Sequence, residues 1–161
     1  MLVLLGACGA QEDDKTDVTF LSQMLPHHAA ALAAGRLAAE QGTDPRVRAF
    51  GERVLAEQTP EVARIKAIAV REHLHLDLAA GSSHAKQEIN AAELAGLAHL
   101  RGTAFDRDFL ILSARSEEGA AQMARTELMG GHIGTALMLA KSIASAPNGE
   151  IPELRTLLAA L

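Results

Sequence analysis

Residues 16–45 contain a helix, its end and the start of a second helix, and they read TDVTFLSQMLPHHAAALAAGRLAAEQGTDP. Apolar side chains recur at spacings of three and four residues, which predicts an amphipathic helix over residues 16–41. Gly42 occupies the position at which a glycine commonly ends a helix. Asp44 and Pro45 then provide the N-cap and first residue of a second helix, which we expect to run to about residue 72.

The same arrangement recurs later in the chain, at an offset of 89 residues. We expect a third long helix that begins with a capping box of Thr103 and Asp106 and ends near Gly130, and a fourth that is broken near Pro147 and Pro152. Six pairs match in residue type at this one offset: Asp17 with Asp106, Phe20 with Phe109, Gly42 with Gly131, Val54 with Ile143, Glu61 with Glu150, and Val62 with Ile151. Such a repeat indicates an internal duplication.

These patterns predict an all-α protein, a four-helix bundle built from two pseudo-repeated helical hairpins. We expect one domain over residues 17–161, with halves at 17–72 and 104–161. Residues 73–103 lose the long helical period and form the predicted linker, in which residues 91–100 favour a short helix. Aromatic residues make up only 2% of the chain, which argues against a β-sheet protein.

Composition also narrows the function. The chain has no Trp or Tyr and a net charge of −5, so it lacks both the stacking surfaces and the basic stripe of a nucleic-acid-binding protein. It contains no phosphate-binding loop, no dinucleotide fingerprint, no nucleophile elbow and no His-Glu-x-x-His motif. We therefore favour a binding protein over an enzyme. The sequence leaves the oligomeric state open, a homo-oligomer included.

The N-terminus contains the single cysteine. Cys8 follows an apolar run and two small residues, Gly6 and Ala7, which is the pattern of a bacterial lipoprotein signal. On this interpretation residues 1–8 form a signal ending at a lipidated Cys8, and the acidic residues 9–16 form a tether. The protein would then lie outside the cytoplasm, in the cell envelope or secreted, and would meet the membrane only through its lipid anchor. The alternative is an apolar N-terminal end without modification.

Candidate metal ligands lie on the first two helices. Met24, His27 and His28 are three and four residues apart, so they share one helix face. Gln58 and Glu61 interrupt the apolar stripe of the second helix, where an unpaired polar group is costly. Imidazole and thioether ligands favour copper, with zinc as the second choice. The alternative is a structural His–Glu hydrogen-bond network that fixes the register of two helices in a scaffold or partner-binding protein.

The second half lacks the equivalent imidazoles. Ser116 and Glu117 stand where the first half has its two histidines, and Pro147 stands where it has Gln58. We therefore expect one metal site, in the first half only. In the linker His73 and His75 are a weaker candidate, for which we favour solvated side chains over an auxiliary site.

The chain is similar to the domain of unknown function 305 family in two stretches of each half. The stretches are Asp17-x-x-Phe20-x-x-x-Met24-Leu25-Pro26-His27-His28, Gln58-x-x-Glu61-Val62, Gly102-x-x-Phe105-Asp106-x-x-Phe109-Leu110 and Glu118-Gly119-Ala120-x-x-Met123-Ala124. The resemblance covers about residues 16–160 and implies a ferritin-like four-helix bundle in an exported bacterial protein. It also implies an association with copper binding or resistance, which some members have. The chain departs from the family pattern at Ser116 and Glu117, where the second double histidine is missing.

Overall fold

The computed structural model describes residues 15–79 and 86–161, and every regular element in these ranges is a helix. The helices are α1 (Lys15–Gln41), α2 (Pro45–Arg71), α3 (Ala91–His99), α4 (Gly102–Gly130), α5 (Gly134–Ser145) and α6 (Pro147–Ala159). None of these helices is long and apolar enough to cross a membrane. The predicted lipidation site, Cys8, and most of the predicted tether lie outside the described residues.

The helices form the predicted four-helix bundle of two hairpins. Helices α1 and α2 form the first antiparallel hairpin, α4 forms the second with α5 and α6, and α1 also packs against α4. Helices α5 and α6 together make the fourth helix of the bundle. It is interrupted at Ala146, as predicted, because Pro147 has no backbone N–H to continue α5. Pro152 lies inside α6 without ending it.

The start of α4 differs from the prediction. Arg101 is its N-cap and makes no side-chain cap, so the expected capping box of Thr103 and Asp106 is wrong. Asp106 instead accepts hydrogen bonds from the backbone N–H groups of Thr43 and Asp44, at 2.9 and 2.8 Å, in the turn of the first hairpin. Because it is almost fully buried, its carboxyl is committed to holding the two halves together.

Asp17 makes the equivalent contact in the opposite direction. Its carboxyl oxygens accept hydrogen bonds from the backbone N–H groups of Ile133 and His132, at 2.9 and 3.0 Å, in the turn of the second hairpin. His132 and Ile133 follow Thr43 and Asp44 by the same 89 residues that separate the two aspartates. Each half thus holds the turn of the other, which is the contact pattern of two copies related by a pseudo-two-fold axis.

Two apolar cores fill the bundle and a polar layer lies between them. The Phe20 core consists of Phe20, Leu21, Met24, Ile65, Ile68, Ala120, Met123, Ala124, Ala136, Leu139, Ala140 and Ile143. The Phe50 core consists of Ala34, Ala38, Val47, Phe50, Val54, Ile89, Leu97, Phe105, Phe109, Leu110, Leu154 and Leu157. Along every long helix of the bundle, residues of one core give way to residues of the other near the middle. The polar layer occupies that level, and its buried members are His27, His28, Gln58, Ser113, Ser116 and Glu117.

Candidate metal centre

His27 donates a hydrogen bond across the bundle to the second half. Its Nε2 lies 3.1 Å from the carbonyl oxygen of Ser116 and 3.3 Å from Ser116 Oγ. Because a carbonyl can only accept, the proton is on Nε2, and Nδ1 carries a lone pair with no hydrogen-bond partner among the described residues. Burial, and secondarily the neighbouring His28, lowers the pKa of His27 to about 3, which keeps the ring neutral.

His28 faces the second helix. Its Nε2 lies 3.0 Å from Oε2 of Glu61, although the alignment is not that of a hydrogen bond. Its Nδ1 makes no hydrogen bond in the part of the chain that the structure describes. The ring is only 1% exposed and its centroid lies 5.9 Å from that of His27, in an edge-on arrangement. Two adjacent buried imidazoles therefore each present an unpaired nitrogen.

Gln58 and Glu117 join the two halves beside His28. Nε2 of Gln58 donates to Oε1 of Glu117 at 3.2 Å, and both side chains are buried. Burial raises the pKa of Glu117 to about 8, with further contributions from Glu150, Glu61 and Glu57, in that order. This carboxyl consequently sits in an acidic environment that opposes its ionisation.

A cavity of about 30 Å³ lies beside these groups, enough for one water molecule or one ion. Its polar lining includes His28 and Gln58, with the carboxyl groups of Glu57, Glu61, Glu117 and Glu150. Burial and the proximity of Glu57 raise the pKa of Glu150 to about 7. The cavity therefore combines a buried imidazole with more carboxyl groups than its surroundings neutralise.

The sequence profile of DUF305, a domain of unknown function, matches residues 17–158. The chain belongs to the DUF305 family. No significant match was found among curated protein sequences.

Solved structures have the same fold. A DUF305 fragment from Deinococcus radiodurans has 26% sequence identity and a TM-score of 0.83, over 92% of this chain and 99% of that chain. A DUF305 protein of Streptomyces coelicolor, described as predicted to be secreted, has 20% identity and a TM-score of 0.80, over 92% and 94% of the two chains. CopM in its Cu(II)-bound form has 19% identity and a TM-score of 0.77, over 89% and 96%. CopM in its Cu(I)-bound form has 18% identity and a TM-score of 0.74, over the same shares.

Three of the predicted ligands of this DUF305 chain meet around the cavity, and the others do not line it. His28, Gln58 and Glu61 line the cavity, and His27 lies next to it in the polar layer. Met24 is fully buried in the Phe20 core and is not part of the cavity lining. The candidate site around the cavity therefore does not include the thioether of Met24.

The linker histidines stand apart from this site. His73 and His75 follow the end of α2, and both are exposed. The backbone of His73 has a positive φ of 55°. Within residues 15–79 and 86–161, no three or more His, Cys, Asp or Glu side chains form a group that could hold a metal ion. A metal bound by the described residues would thus require side chains in the polar layer or the linker to rotate toward it.

The sequence did not predict that residues of the second half line the cavity. Glu117 was predicted to matter only as a missing histidine, and Glu150 only as a match to Glu61 at the 89-residue offset. Both carboxyl groups nevertheless line the cavity with His28. The signal was present in that match, because duplicated halves packed about a pseudo-two-fold axis bring equivalent residues together at the axis.

Proposed function

We propose that this protein binds a transition metal, with copper as the first choice and zinc as the second, through the histidine pair of its polar layer. The ligands would be drawn from Met24, His27, His28, Gln58 and Glu61. The observation that carries the proposal is the unpaired Nδ1 on each of two adjacent, fully buried histidines. A buried nitrogen with a free lone pair and no partner is costly unless it binds something.

The arrangement of His27 supports this proposal. A metal-binding histidine usually donates its other ring N–H to a carboxylate or a backbone carbonyl, which fixes the tautomer and the ring orientation. Nε2 of His27 donates to the carbonyl of Ser116 in this way. The low pKa of about 3 keeps the ring unprotonated at neutral pH, so a metal ion would not have to displace a proton from it.

The relatives support a role outside the cytoplasm. The Streptomyces coelicolor relative is predicted to be secreted, and CopM has the same fold and is known in two copper-bound forms. We infer a protein of the cell envelope that handles copper or contributes to copper resistance and is anchored by a lipid on Cys8. Intact-mass analysis of protein from the membrane fraction tests the anchor. An unmodified Cys8 with residues 1–7 still attached would contradict it.

Copper titration of the tag-free protein tests the binding function. The His27→Ala/His28→Ala variant is expected to lose tight binding of Cu(I) and Cu(II), measured by competition with a chromophoric chelator. The matched His73→Ala/His75→Ala variant removes two exposed linker histidines and should keep it. Retention by the first variant and loss by the second would place the metal in the linker.

A substitution of Met24 tests the thioether. Met24→Leu conserves the volume of a side chain in the Phe20 core, so the fold should lose less than about 1.5 kcal/mol. If the sulfur binds copper, Cu(I) affinity falls at least tenfold and Cu(II) affinity changes little, because thioethers prefer the softer ion. Met123→Leu is the control in the same core, and it should change neither affinity.

A scaffold without metal is the alternative function, and the contacts of His27 with Ser116 and of His28 with Glu61 favour it. These contacts would then fix the register of the helices in a surface protein that binds a partner. In that case the wild-type protein binds neither copper nor zinc, and the double-histidine variant is destabilised with no change in metal content.

A further inference from the structure

The cavity of the polar layer lies where the two halves meet, and its lining includes residues from equivalent positions. His28 and Glu117 are equivalent at the 89-residue offset, and so are Glu61 and Glu150. All four side chains line the same small cavity. A cavity on the pseudo-two-fold axis necessarily takes its walls from both halves.

Carboxyl groups outnumber cationic groups in the lining of this cavity. Four glutamates line it, whereas Arg53 is the single cationic residue among the described residues of the lining. The Arg53 guanidinium is already engaged, since Nη2 lies 2.6 Å from Oε2 of Glu153, outside the lining. It also lies over the ring of Phe50, with Cζ 4.7 Å from the ring centroid. The carboxyl groups in the cavity thus lack a dedicated counter-ion.

Two buried polar atoms beside the carboxyl groups also lack partners. Nε2 of His28, which lies 3.0 Å from Oε2 of Glu61, and Oε1 of Gln58 make no hydrogen bond to any described residue. Their side chains are 1% and 7% exposed, and both residues line the cavity. An unprotonated imidazole nitrogen and an amide oxygen are both electron-pair donors, which either a cation or a water molecule that donates two hydrogen bonds satisfies, and the surrounding carboxyl groups favour the cation. The cavity volume of about 30 Å³ admits a single ion.

We propose that Glu117 and Glu150 of the second half complete one divalent-cation site with His28 and Glu61 of the first half, once their side chains rotate toward the ion, since the described residues hold no preformed group of three or more such ligands. This inference rests on the proposed function, because both proposals use His28 and Glu61 as ligands. It differs in placing the site across both halves of the bundle and not in the first half alone. One imidazole with several carboxylates favours Zn²⁺ or Cu²⁺ over Cu⁺. Met24 does not line the cavity, so its soft thioether is not part of this donor set.

The site has a stability signature that a purely structural role would not give. Replacing Glu117 and Glu150 with glutamine removes two of the proposed ligands and keeps the size of both side chains, so the variant should melt close to the wild-type temperature in the presence of a chelator. The same variant should gain less from added metal, because an ion that binds only the folded state stabilises it in proportion to its affinity.

The experiment compares Zn²⁺ and Cu²⁺ binding by calorimetry, and melting with and without metal, in the full chain. Glu117→Gln/Glu150→Gln should bind Zn²⁺ at least tenfold more weakly than wild type. The control Glu52→Gln/Glu118→Gln removes two carboxyl groups from exposed positions and should stay within about twofold of wild type. Circular dichroism without metal checks that each variant is folded.

The outcomes separate this inference from the proposed function. If Glu117→Gln/Glu150→Gln binds Zn²⁺ and Cu²⁺ as the control does, while His27→Ala/His28→Ala loses copper, the second half is not part of the site. The proposed function then stands and the inference is overturned. If the wild-type protein binds none of Cu⁺, Cu²⁺ and Zn²⁺, both are overturned.

Discussion

His27 and Ser116 occupy equivalent positions in the two halves of the chain, 89 residues apart, and they contact each other directly. A residue can touch its own equivalent only at the axis that relates the two copies. The contact therefore places the pseudo-two-fold axis in the middle of the polar layer. The axis exchanges the two apolar cores, as Phe20 and its equivalent Phe109 show by belonging to different cores.

The two buried aspartates should each contribute substantially to stability. Asp17→Ala and Asp106→Ala each leave two backbone N–H groups without an acceptor, so we expect each to lower the unfolding free energy by about 2–4 kcal/mol. Asp108→Ala, at an exposed position of the same helix as Asp106, should change it by less than about 0.5 kcal/mol. Urea unfolding followed by circular dichroism measures all three. A loss as small as that of Asp108→Ala for either Asp17→Ala or Asp106→Ala would argue against reciprocal roles.

Two glycine-to-alanine substitutions should have opposite effects. A Cβ on Gly51 would lie 2.7 Å from the carbonyl oxygen of Gly35 and 2.8 Å from Cβ of Ala38, where α1 and α2 cross. We expect Gly51→Ala to destabilise the protein by about 1–3 kcal/mol, despite alanine's better helix propensity. Gly96 in α3 has no atom within 4 Å of a built Cβ, so Gly96→Ala should stabilise by up to about 1 kcal/mol. Thermal melting compares the two, and similar effects would contradict the close crossing.

His27 should make the metal-free protein sensitive to acid. Burial holds its folded-state pKa near 3, against 6.5 for an ordinary histidine, so the unfolded chain binds one more proton between these values. This contribution to stability is lost as the pH falls below about 6.5. His27→Gln keeps a donor for Ser116 but cannot protonate. Its unfolding free energy relative to wild type should rise by up to about 1.4 kcal/mol per pH unit toward pH 4. His73→Gln, at an exposed position, should show a flat difference in the same chelator-containing buffers.

Glu127 should make the folded protein less stable as the pH rises, whereas His27 makes it less stable as the pH falls. Burial, then the neighbouring carboxyl of Asp17, raises its pKa to about 8 from the usual 4.5, so the folded protein binds the extra proton. Stability from this group falls as the pH rises from about 4.5 to 8. Glu127→Gln should therefore gain on wild type across that range, by on the order of 1–3 kcal/mol at pH 8. Denaturant unfolding at several pH values measures this gain. A difference as flat as that of the exposed Glu118→Gln control would show that Glu127 ionises normally.

The sequence predicted the helices because their signals are local. Gly42, Asp44 and Pro45 end one helix and begin the next, and Asp44 accepts from the backbone N–H of Arg46 at 2.8 Å as an N-cap should. The repeat at an offset of 89 residues predicted the paired hairpins. The predicted capping box of Thr103 and Asp106 is wrong because the Asp106 carboxyl accepts hydrogen bonds from two backbone N–H groups in the other half. No local sequence pattern reveals such a contact.

The sequence by itself determined the all-α bundle and the duplication, and it singled out His27, His28, Gln58 and Glu61 as candidate ligands, because helical periodicity and spacing are properties of the chain alone. Only the tertiary structure decided which groups meet. It brought Glu117 and Glu150 to the same cavity as His28, and it left Met24 in an apolar core. The physical reason is the pseudo-two-fold packing, which brings residues about 89 positions apart into contact at the axis. A pattern in the sequence does not show contacts between residues so far apart in the chain.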